Sequence, residues 1–104
     1  MLAGVLLAHA PDAVDGAWYN SLKVPGTEGS MTPSSCCGAA DCMAVEDADV
    51  KIDDGVYFVR SPTSGQLLRV PPDSVAKRSD NPTGKYVACV HNERVLCFVL
   101  GVRT

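Results

Sequence analysis

Reactive side chains in this 104-residue chain are few, and five of them are cysteines. Cys36, Cys37 and Cys42 crowd into SSCCGAADC (34–42), while Cys89 and Cys97 flank His91 near the C-terminus. Three chemistries compete for them. A zinc centre takes four thiolate or imidazole ligands, commonly in C-x2-C pairs. The separations here are C-x4-C or C-x5-C and then C-x7-C, which match no standard template. A cysteine nucleophile needs a depressed thiol pKa and a base within reach. His91 is the one histidine beyond the N-terminal apolar run, and it falls where a hairpin tip is expected. Disulfides require only a small domain and an oxidising compartment.

The first reading is therefore a structural framework in which four of Cys36, Cys37, Cys42, Cys89 and Cys97 form two bridges. The second is a metal-binding or thiol-redox protein that uses the same five cysteines with His91. A Cys36–Cys37 bond would close a strained eight-membered ring, so bridges are expected to run from the 36–42 segment to Cys89 and Cys97. Spacing alone leaves the pairing open. Each such bridge would close a loop of about 50 residues, contributing about 4 kcal/mol in the chain-entropy picture. The odd thiol is free to join a partner or a second copy in a disulfide-linked dimer.

The compartment is suggested by LAGVLLAHA, an apolar run whose Ala8-His9-Ala10 ending has the small-x-small form of a leader-cleavage site, with Pro11 next. Residues 1–10 read as a signal-peptide remnant, and a periplasmic or secreted location follows. No lysine or arginine precedes the run, which suits a start site placed too late or a clipped leader. A bilayer needs about 20 apolar residues, so stable membrane insertion is not expected. A net charge of −3 with Lys and Arg scattered singly provides no basic stripe for phosphates. Nucleic acid is excluded as a partner on that ground.

The elements that must position the cysteines follow from the pattern. Nine Gly and seven Pro argue for turns over long helices. Residues 11–35 form an aromatic segment, with one or two helical turns, and then a Pro/Gly/Ser-rich loop. Residues 36–104 form the stapled β domain, its ordered part beginning at Cys36. GAAD before Cys42 suggests a tight helical turn. Val50 and Ile52 alternate with polar residues, Asp53-Asp54-Gly55 supplies a turn, and Val56 to Arg60 returns as a second strand. Gln66 to Val70 adds a third, closed by Pro71-Pro72. PDSVAKR reads as a helical turn capped by Asp73 or Ser74. YVACVHNERVLCFVL is a last hairpin of strands 86–90 and 95–100. With a three-residue loop Cys89 opposes Cys97; with a two-residue loop it opposes Leu96. The expected fold is mostly β, a small antiparallel sheet or half-barrel of four or five strands with short helical turns.

Other candidates are weaker. Asp41, Glu46, Asp47, Asp49, Asp53 and Asp54 lack the order of a calcium loop and read as a solvated face. His91, Asn92, Glu93 and Arg94 are candidate binding residues because loops on a stapled scaffold carry recognition, as does the loop 23–35. Trp18 and Tyr19 are a second candidate contact, although such a pair often caps a small core. No G-x-S-x-G, P-loop or H-E-x-x-H is present, so no enzyme and no cofactor is expected. The expected role is binding of another protein or an envelope component.

SCCGAADCMAV, a strand ending VPP, and GKYVACVHNERVLCFVLG together resemble a group of small uncharacterised exported proteins of alphaproteobacteria and their prophages. That group carries an aromatic pair, S-C-C-x3-D-C and a late C…CF hairpin. The likeness spans residues 17–102 and rests on Ser35, Cys36, Cys37, Asp41, Cys42, Cys89, Cys97 and Phe98. It implies secretion and one cysteine-stapled domain, and it brings no activity.

Overall fold

The computed structural model describes residues 16–27 and 34–101. The run 1–10 read as a leader, like part of the loop 23–35, lies outside the described residues. Strands dominate, and they fall into two sheets.

Turn chemistry builds the first sheet. β2 (Val50–Asp53) and β3 (Val56–Arg60) are joined by Asp54 and Gly55, both left-handed at φ 53° and 81°. That is the two-residue turn whose twist matches the strands it joins. β4 (Leu67–Arg69) pairs antiparallel with β3 and completes the three-stranded sheet. The second sheet has the order β1-β6-β7-β5, from β1 (Asp41–Val45), β5 (Val75–Ala76), β6 (Tyr86–His91) and β7 (Arg94–Val99). All its pairs are antiparallel except β5 with β7.

One of these seven strands, β5, lies where the sequence suggests a helical turn, and β1 begins at the last residue of another. The helix α2 (Cys36–Ala39) ends early, and Asp41 already begins β1, because pairing with β6 satisfies the backbone of 41–45 and buries Cys42 and Val45. Downstream, a 3₁₀ turn at Pro72–Ser74 starts from Pro71 rather than from Asp73 or Ser74. Val75 and Ala76 then leave it to pair with β7.

The core also begins upstream of Cys36. In α1 (Gly16–Ser21) Tyr19 is buried, as is Leu22 just after it. The Cys36 amide donates to Leu22 O at 3.0 Å, the Val24 amide to Ser34 O at 2.8 Å, and Lys23 bridges Ser35. Those bonds tie the aromatic segment to the cysteine segment.

The four-stranded sheet is covered on both faces, which explains why β6 and β7 read as continuous apolar runs. Along β6, Val87 and Cys89 face α1 and α2, while Ala88 and Val90 face the three-stranded sheet. On that second face Phe98 is fully buried between Tyr57 and Tyr86, at centroid distances of 5.3 and 5.6 Å. Among the described residues no helix is long and apolar enough to cross a membrane.

Candidate functional site

The β1-β6-β7 register sets Cys42, Cys89 and Cys97 in one row across three strands. A bulge makes that row possible. The β6–β7 turn has two residues, so an unbroken ladder would set Leu96 opposite Cys89 and turn Cys97 to the far face. Instead His91 pairs with Arg94 and Val90 with Val95, then Leu96 is extra and Cys89 meets Cys97. Leu96 and Cys97 therefore both face the helices. There Cys36 waits at the start of α2, behind Ser35, whose Oγ accepts the Gly38 amide at 3.3 Å.

Two disulfides result, Cys36–Cys97 and Cys42–Cys89, with Cα separations of 6.1 and 3.9 Å. Both run from the 36–42 segment to the last hairpin, and all four cysteines are buried. The two bridges lie side by side: the Sγ atoms of Cys36, Cys89 and Cys97 lie within 4.8 Å of one another.

Cys37 is the unbridged cysteine. Its half-buried thiol donates to Tyr19 O at 3.4 Å, and burial raises its pKa from the ordinary 9.0 to about 11. At neutral pH a thiol with that pKa is ionised to roughly one part in ten thousand. It is a poor nucleophile and a poor partner for disulfide exchange.

At the hairpin tip His91, Asn92, Glu93 and Arg94 are all exposed. Asn92 Nδ2 sits 3.2 Å from His91 Nε2. Glu93 has structural work: Ser64 Oγ donates to it at 2.5 Å and Ser61 Oγ at 2.8 Å, and these bonds hold its carboxyl below the usual glutamate range. Buried Ser61 in turn accepts the Thr63 and Ser64 amides. This fastening offsets the left-handed backbone of Asn92 and Glu93, at φ 52° and 59°, which non-glycine residues adopt at some cost. A cleft of about 340 Å³ lies between the tip, Met43 and Pro62.

Trp18 and Tyr19 part company. Tyr19 packs in the core, while Trp18, edge-on to it at 5.3 Å, carries the Arg78 guanidinium 5.8 Å from its ring centroid. Arg78 pairs with Asp80 at 2.8 Å and donates to Ser21 Oγ at 3.0 Å. Arg78, and then the neighbouring Trp18 indole, hold Asp80 well below the usual carboxylate range. The buried Trp18 Nε1 nonetheless meets no acceptor in full hydrogen-bond geometry.

Beside this cluster runs the larger concavity, about 620 Å³, between Ser21–Gly26 and Pro72–Arg78. β5, the edge strand of its sheet, forms one wall. Leu22, Pro25 and Val75 supply apolar lining; Lys23, Lys77 and Arg78 outnumber Asp73 among the charges. Neither lysine has an ion pair among the described residues. Sequence reasoning placed Lys23 in a candidate loop but missed Lys77, because isolated lysines more than fifty positions apart give no local signal. No family model matches the chain, and no curated protein or solved structure matches it either.

Proposed function

We propose that this chain is a non-enzymatic exported domain, periplasmic or secreted, that binds another protein or an envelope component. The observation that carries export is the pair of disulfides buried at the centre of the fold, since such bridges persist in oxidising compartments. The groove between Ser21–Gly26 and β5 is the best-supported contact surface. It has the size of ordinary ligand sites and an excess of positive charge on an acidic protein. An acidic segment of a partner suits it better than a basic one. The hairpin tip is a second contact, with His91 and Asn92 more available than Glu93, which Ser61 and Ser64 occupy. The only unbridged thiol is desolvated and far from a nucleophile's pKa, which favours binding over catalysis.

Two experiments test this. Alkaline phosphatase, active only when oxidised, fused behind the chain in its native gene with the upstream codons kept, reports export in a bacterial host; an inactive fusion contradicts it. A photo-crosslinker at Lys77 should give a discrete product in producing cells, lost on Lys23→Glu and kept on Lys23→Arg. A product insensitive to that charge reversal contradicts the groove as the contact.

A further inference from the structure

Three sulfurs, from α2, β6 and β7, cluster at one buried spot, a fourth from β1 is bonded to one of them, and disulfides are only one of two ways to join the four. We propose that the reduced chain binds one soft divalent d10 cation of the zinc class through Cys36, Cys42, Cys89 and Cys97, the oxidised chain holding two disulfides in its place. This inference is independent of the groove and its partner.

The geometry carries it. Zinc–thiolate bonds of about 2.3 Å place tetrahedral sulfurs roughly 3.8 Å apart. The Cys36, Cys89 and Cys97 sulfurs already lie within 4.8 Å of one another, and Cys42 Sγ is bonded to Cys89 Sγ. Breaking both S–S bonds lets paired sulfurs separate toward that spacing. The Leu96 bulge keeps Cys97 turned to the same face as Cys89. All four cysteines are buried, so water competes poorly as a ligand. A sulfur-only donor set favours zinc-class ions over calcium or magnesium. The other two candidate ligands fall away: Cys37 directs its thiol to Tyr19 O, and His91 is exposed at the hairpin tip. A single ion would tie together the positions that the bridges join, and the metal-free reduced chain loses both links.

The chemistry balances with a phosphine as reductant. Each disulfide gains two electrons and two protons and becomes two thiols, while the phosphine takes oxygen from water and becomes its oxide. The cation then displaces the four thiol protons and accepts four thiolates.

The test uses the full chain, unfolded and reduced with a phosphine, then refolded without oxygen in the presence of Cd²⁺ and desalted. The expected product retains about one cadmium per chain and shows thiolate-to-cadmium charge-transfer absorption and a strand-type circular dichroism spectrum. The oxidised chain should retain none. Cys37→Ser should bind cadmium unchanged, and Cys42→Ser should weaken binding by more than about tenfold. The proposal is overturned if the reduced wild-type chain retains no cadmium, retains it without strand structure, or loses it on Cys37→Ser as fully as on Cys42→Ser.

Discussion

Removing the outer bridge, with Cys36→Ala and Cys97→Ala together, has a cost that depends on its neighbour. The separations are 61 residues for Cys36–Cys97 and 47 for Cys42–Cys89, and the second lies inside the first. Taken alone, either loop closure would contribute about 4 kcal/mol. Because the inner bridge already holds positions 42 and 89 together, cutting the outer one frees only the two short arms between them. Those arms make an effective loop of about 14 residues, worth about 3 kcal/mol. Losing both bridges should therefore cost about 7 kcal/mol, less than the sum of two independent closures, and each sulfur replaced adds a packing loss on the order of 1 kcal/mol. Guanidinium titration of the oxidised wild type and the variant should show a lower midpoint, and the melting temperature should fall by roughly 20 °C. A loss under about 1 kcal/mol would refute the reasoning by showing that the arms are already constrained without the bridge.

The remaining predictions concern single features. Deleting Leu96 removes the extra bulge residue but keeps Cys89 opposite Cys97, so the product should still carry both bridges by mass; a single bridge would contradict the register. Buried Asn81 donates to Lys85 O and Leu100 O and accepts twice from Thr83, so Asn81→Ala should lower stability by about 2 kcal/mol in denaturant titration. Cys37 has a raised pKa when folded, so stability should be unaffected below its ordinary 9.0 and fall as pH rises toward about 11. A Cys37→Ala chain should lack that alkaline slope. Glu93 is lowered by Ser64 and Ser61, so its contribution is present above the ordinary glutamate value and lost as pH falls through the lowered one. Glu93→Gln should flatten that acid limb when the two proteins are titrated side by side.

How far the sequence speaks differs by element. The hairpins were legible because Asp53-Asp54-Gly55 and the polar His91–Arg94 interrupt β-branched runs. The role of Leu96 was not, since Val95 to Val99 are all apolar and a strand buried on both faces conceals its own register. PDSVAKR suggests a helical turn where β5 lies, and the small residues of GAAD conceal where α2 gives way to β1, while the pairing that makes β1 and β5 strands comes from β6 and β7, far along the chain. The same distance hid the groove: Lys23 and Lys77 meet only after β5 docks on β7. Local chemistry drew attention to Glu93 as an exposed contact, and only the fold brings Ser61 and Ser64 to it.

The central claim is that this domain is centred on two buried disulfides with Cys37 left as a thiol. Protein exported to an oxidising compartment, alkylated under denaturing non-reducing conditions and mapped by fragmentation between Cys36 and Cys37, tests it most directly. The account predicts one alkylated residue, Cys37, with Cys36 linked to Cys97 and Cys42 to Cys89. A Cys89–Cys97 link, a bridge to Cys37, or five alkylated cysteines would contradict it.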